Sequence, residues 1–124
     1  MVASLTRPEA LLRVEGAALL ALSVLFYSLG GMSWTLFLLL VLAPDLSMLG
    51  YLKGSRAGAL SYNLGHNYLT PAVLIAFGIL AGRLFYVSLG LIWFAHIGFD
   101  RNMGLGLKYP TGFGDTHLGR VSGV

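Results

Sequence analysis

Residues 33–52 read SWTLFLLLVLAPDLSMLGYL. A helix needs roughly 20 mostly apolar residues to cross the hydrocarbon of a bilayer, and this run has that length. Pro44-Asp45 interrupts it. Proline cannot donate to the carbonyl four residues back, so the helix is expected to kink or break there. The carboxylate next to the break lies inside the run. Ionisable side chains in such positions cost about 2.5–3.5 kcal/mol on insertion scales, and they face a bundle interior or mark a site. One stretch therefore predicts both a membrane helix and a polar feature within it.

Working outward, three more runs have the same character: residues 10–29, 59–81 and 84–99. The expected architecture is an all-α bundle of four transmembrane helices. It forms one domain over residues 1–124, with a Gly-rich cytoplasmic tail over 100–124. Composition agrees. Apolar residues make up 56% of the chain and charged residues 10%, against about a quarter charged in soluble domains. Basic residues precede the first run, as in a signal peptide. A small-residue cleavage site is lacking and further spans follow, so the run is read as a retained helix. Pro71 lies inside the third run and leaves the Asn67 carbonyl without its usual donor. The joints at Gly30 to Met32, Lys53 to Gly58 and Gly82-Arg83 are short, which makes sequential neighbours antiparallel.

Orientation follows from the Lys/Arg bias. Four spans put Arg7, Arg13, Lys53, Arg56, Arg101, Lys108 and Arg120 on one side and only Arg83 on the other. Both termini are thus expected in the cytoplasm, with the protein in a bacterial inner membrane. The net charge of +3 is scattered singly, without a basic stripe, so no nucleic-acid partner is expected. There are no cysteines, which excludes disulfides and thiol nucleophiles.

This topology gathers residues that are far apart in sequence. Asp45 and His66 each lie about seven residues from the cytoplasmic ends of their helices, roughly 10 Å deep at 1.5 Å per residue. His96 and Asp100 end the fourth helix, in WFAHIGFDR, and their spacing of four puts them on one helical face. Glu15 joins from the first helix. Asp45, His66, His96 and Asp100 are the expected metal ligands, with Zn²⁺ preferred and Mn²⁺ or Fe²⁺ as alternatives. Asp115 or His117 in the tail would act as general base. Arg101 and Lys108 would hold a phosphate. Each has a plainer reading: a structural His–Asp pair, a helix cap at Asp45, an ion pair between Glu15 and a basic neighbour, solvated tail residues. Asn63 and Asn67 are read as structural. GLGLKYP lacks the spacing of a phosphate loop, and there is no G-x-S-x-G elbow.

LAPDLSMLGYL, YNLGHNYLTP and IWFAHIGFDRNMGLGLKYPTGFGDTHLGR resemble domain-of-unknown-function family 4260, a group of small bacterial membrane proteins. That resemblance implies a class but no activity. The order Pro44-Asp45, His66, His96, Asp100, Tyr109-Pro110 is more distantly similar to inner-membrane proteins described as metal-dependent hydrolases. This chain departs from their pattern with Asn67 where an Arg is usual, and no Thr-His-Ser follows.

Two functions stay open at this level. One is a metal-dependent hydrolase acting on a lipid-like phosphoester or amide. The other is a non-enzymatic structural or assembly subunit, in a homo-oligomer or a larger membrane complex. For the latter, Gly16, Ala17, Gly58, Gly65 and Gly90 would permit close helix approach.

Overall fold

The computed structural model describes residues 7–111 and 114–120. The chain is all-α apart from a two-residue hairpin in the tail. Helix α1 spans Pro8–Leu29. Pro8 sits in its first turn, where a missing N–H costs nothing. Helix α2 spans Trp34–Leu40 and is capped by Ser33, whose hydroxyl accepts from Leu36 N at 3.2 Å. A 3₁₀-helix follows over Ala43–Lys53. Helices α3 (Ser55–Gly65), α4 (Leu69–Ala81) and α5 (Leu84–Asn102) complete the bundle. Strands β1 (Asp115–Thr116) and β2 (Gly119–Arg120) pair antiparallel, and Lys108 bridges to Thr116.

Two expected helices are broken, each beside a proline. The second rod stops being α-helical at Leu40 and resumes as 3₁₀ just before Pro44. Pro71 does not sit inside a continuous third helix. The chain breaks at residues 66–68, and Pro71 falls in the first turn of α4, where proline is tolerated. The joint expected over Lys53 to Gly58 shrinks to Gly54 with φ 117°, a conformation that favours glycine.

Among the described residues, three rods are long and apolar enough to cross a membrane: Pro8–Leu29, Trp34–Lys53 and Ser55–Ala81. Their outward leucines have nothing to pack against. Leu80 is 88% and Leu52 85% exposed, which suits lipid rather than water as the surrounding solvent. Helix α5 is the inner one. It carries ten buried residues, including His96, Asp100 and Arg101.

Close backbone approach sets α1 against α5. A Cβ on Gly98 would stand 2.7 Å from the Gly16 carbonyl, and one on Gly16 would stand 2.5 Å from the Arg101 Cβ. Glycine at both positions therefore permits the crossing. Arg13 Nε donates to the Asn102 carbonyl at 3.1 Å, so the start of α1 lies beside the end of α5. Gly58 is filled against Tyr51, Gly65 against Ser47 and Gly90 against Ile75. These small residues, together with Gly16, serve contacts within the chain.

Candidate metal centre

The two helix breaks position the site. A broken helix leaves carbonyls without donors, and in a membrane each must find another partner. At the break between α3 and α4, side chains reach the carbonyls of Asn63, Leu64, Gly65 and His66. Asn67 Nδ2 donates to the Asn63 and Leu64 carbonyls at 2.9 and 3.0 Å. Its Oδ1 accepts from Thr70 N at 3.0 Å, starting α4. Trp93 Nε1 donates to Gly65 O at 2.6 Å, and Arg101 donates to His66 O at 2.8 Å. At the other break, Ser47 Oγ donates to Pro44 O at 2.7 Å and Ser61 Oγ to Ser47 O at 2.5 Å.

Two further carbonyls near the breaks orient the two histidines. His66 Nδ1 lies 3.0 Å from the Tyr62 carbonyl and His96 Nδ1 lies 2.6 Å from the Val41 carbonyl. A carbonyl only accepts, so both rings carry their proton on Nδ1. Ser47 Oγ, 3.2 Å from His66 Nδ1, spends its own hydrogen on Pro44 and can only accept as well. In the neutral form of each ring, Nε2 then carries the lone pair.

Those lone pairs converge with two carboxylates. His66 Nε2 lies 3.1 Å from Asp45 Oδ1 and 3.5 Å from Asp100 Oδ2. His96 Nε2 lies 3.0 Å from Asp45 Oδ1 and 3.2 Å from Asp100 Oδ2. The two Nε2 atoms are 3.2 Å apart. A tetrahedron with spokes of about 2.0–2.1 Å, the usual Zn–N and Zn–O lengths, has edges of roughly 3.3–3.4 Å. Five edges of this set run from 3.0 to 3.5 Å, and the four donor atoms all lie within 4.8 Å of one another. Four electron-rich atoms at this spacing repel unless protons or a cation lie among them. The group could hold a metal ion, and the residues present fit one.

All four expected ligands are thus brought together. Glu15 is not part of the set; it is exposed on α1. Asp45 and His66 both lie deeper from the Gly54 turn than the expected depth of roughly 10 Å, with eleven residues of α-helix leading to His66. The cluster lies about 9 Å from the end of α5, six residues at 1.5 Å. It lies about 16 Å from the Gly54 turn, because a 3₁₀-helix rises about 2.0 Å per residue.

The tail packs against the outer side of α3. Asn63 brackets the Lys108 backbone, donating to its carbonyl at 2.8 Å and accepting from its N–H at 2.6 Å. Lys108 Nζ lies 4.7 Å from the centre of the Tyr62 ring, and Tyr62 stacks on His66 at 3.7 Å with planes 6° apart. Burial pushes the Lys108 amine below the usual lysine value, while Asp100 pulls it up. Arg101 also donates to Leu105 O at 3.3 Å and lies over the Tyr68 ring. His117 is exposed, and its Nδ1 accepts from Leu107 N at 2.8 Å. The side chain of Asp115 lies outside the described residues.

Sequence reasoning missed Tyr62, Ser47, Ser61 and Trp93 as supports of the ligands. The available signals were the four-residue step from Tyr62 to His66 and the Ser47 hydroxyl two residues after Asp45. Trp93 closes a helix end with its indole N–H.

Fold and site together define a helical protein with membrane-type spans and an inner His₂Asp₂ cluster competent for a metal ion. The chain belongs to the family "Domain of unknown function (DUF4260)", whose model matches residues 9–121. No curated protein and no solved structure matches it.

Proposed function

We propose that the protein is a bacterial inner-membrane metalloprotein that binds Zn²⁺ through Asp45, His66, His96 and Asp100 and hydrolyses a lipid-like phosphoester or amide. α5 serves as a fourth span, and both termini lie in the cytoplasm. One observation carries the reading: two imidazoles, each held at Nδ1 by a backbone carbonyl, aim Nε2 at two carboxylates, with five edges of the set between 3.0 and 3.5 Å. Carbonyl partners on the far nitrogen are what zinc-bound histidines ordinarily have. A purely ionic network supports this geometry less well. It needs added protons, and two Nε2 atoms 3.2 Å apart cannot both present a hydrogen to each other.

Zn²⁺ in such a site lowers the pKa of a bound water to about 7 and polarises carbonyl or phosphoryl oxygens. The chain's own residues would do the rest. Asp45 is the accessible ligand, with its side chain 43% exposed against 0%, 5% and 11% for His66, His96 and Asp100. Lys108 and Arg101 would face the phosphate, and Asp115 or His117 would take the proton.

A second reading has its own support. Four protein donors already fill the tetrahedron, as in structural zinc sites. The ion would then fasten the Asp45 and His66 breaks to α5, and the chain would serve as a scaffold in an oligomer or larger complex.

The test is metal analysis of protein purified in detergent at neutral pH without chelator. About one zinc per chain is expected, falling to background in His96→Ala. Metal-free wild-type protein would overturn the proposal. Acyl phosphodiester and acyl amide substrates then separate the two readings. Chelator-sensitive hydrolysis supports the enzyme. Full metal content with no turnover, and a lower Tm on chelation, supports the structural ion.

A further inference from the structure

A cavity of about 440 Å³ ends on the metal cluster. Its walls are apolar: Leu20 and Val24 from α1, Phe37 and Val41 from the second rod, Phe99 from α5. Its floor is Asp45, His96 and Asp100. Leu42 and Phe99, also on the wall, are 68% and 50% exposed. The mouth therefore opens sideways onto the apolar exterior. The volume falls in the usual range for small-ligand sites, about 300–1,000 Å³.

We infer that this groove is an acyl-chain subsite, and that the ligand is an amphiphile entering laterally from the bilayer between α1 and the second rod. Its hydrocarbon chain lies along Leu20, Val24 and Phe37. Its oxygen-bearing head meets the centre on the Asp45 side. Two observations converge on this occupant. Apolar walls leading to a floor of metal ligands match a molecule with a hydrocarbon end and an oxygen-donor end. The one cluster residue with substantial exposure, Asp45, lies on the groove floor. The inference rests on the metal reading and adds to it the route and the part of the molecule that Val24 and Leu20 recognise.

Cobalt-loaded protein in detergent tests this with a readout that is not activity. Tetrahedral Co²⁺ absorbs in the visible, and the band shifts when an oxygen donor joins the ion. The probes are acetohydroxamate and octanohydroxamate, which share a head and differ in chain. The long form is expected to shift the band at roughly tenfold lower concentration or less, given the gain per buried methylene. Val24→Trp, which fills the groove, should bring the two probes to equal affinity. Leu25→Trp, on an adjacent exposed position outside the groove, should keep the difference. The cobalt band in each variant reports folding, and Leu20→Phe repeats the test from the same wall if Val24→Trp loses the band. Equal affinities in the wild type overturn the subsite while leaving the metal centre intact. So does a chain preference that Val24→Trp and Leu25→Trp retain alike, since the micelle then explains it. A wild-type chain that takes up no cobalt overturns the metal reading and the subsite with it.

Discussion

Ser47 does three things at once. Its hydroxyl gives its hydrogen to Pro44, its lone pair faces His66 Nδ1, and its carbonyl receives the Ser61 hydroxyl. It thereby holds both a helix break and a ligand. Removing an outer partner of a metal-bound histidine typically costs 10–100-fold in affinity. His66 Nδ1 keeps the Tyr62 carbonyl, so the low end applies. Ser47→Ala is expected to weaken zinc binding about tenfold, measured by competition with a chelator of known affinity, with the helical circular dichroism unchanged. The four residues of the cluster were legible in the sequence because a carboxylate or imidazole inside an apolar run is costly and stands out. Ser47, Ser61, Tyr62 and Trp93 were not. Such residues occur throughout membrane helices, and only the position of an unpaired carbonyl shows what each does.

At the scale of elements, the disruption at Pro44 was read correctly though its form was not visible, whereas Pro71, expected inside the third helix, lies in the first turn of a new one. Pro44 heads a 3₁₀-helix over Ala43–Lys53, and the third run breaks upstream of Pro71, at residues 66–68. The difference arises because donors from other elements, Trp93 and Arg101 on α5, decide which carbonyls can be left outside a helix. The tail is a separate element with its own sensitivity to pH. Partial burial, followed by the charge of Arg101, pushes His117 below the ordinary value of 6.5. An undocked tail then binds more protons than a docked one in the interval between the two values. Docking is strongest above about 6.5, weakens as pH falls toward the depressed value, and changes no further below it. Protonation also removes the lone pair that accepts from Leu107 N. Amide exchange at Leu107, corrected for its intrinsic pH dependence, should therefore speed up as pH falls below about 6.5. His117→Asn should flatten that response.

At the scale of the whole molecule, the topology can be checked without background labelling, because the chain has no cysteine. Arg83→Cys, in the turn between α4 and α5, should react with a membrane-impermeant maleimide added outside intact spheroplasts. Arg56→Cys, near the Gly54 turn, should react only after lysis. The reverse pattern would invert the orientation taken from the Lys/Arg bias. By itself the sequence determined the family, the apolar runs long enough to cross a membrane and the four residues that form the candidate metal cluster. Hydropathy and the cost of burying charge are local properties that a chain carries in its order. Tertiary structure alone decided that the donor atoms of Asp45, His66, His96 and Asp100 meet within 4.8 Å of one another, and that both imidazoles present Nε2. It also decided that a sideways groove leads to them. Each of these depends on which carbonyl lies next to which ring across two broken helices, and no spacing along the chain encodes that distance.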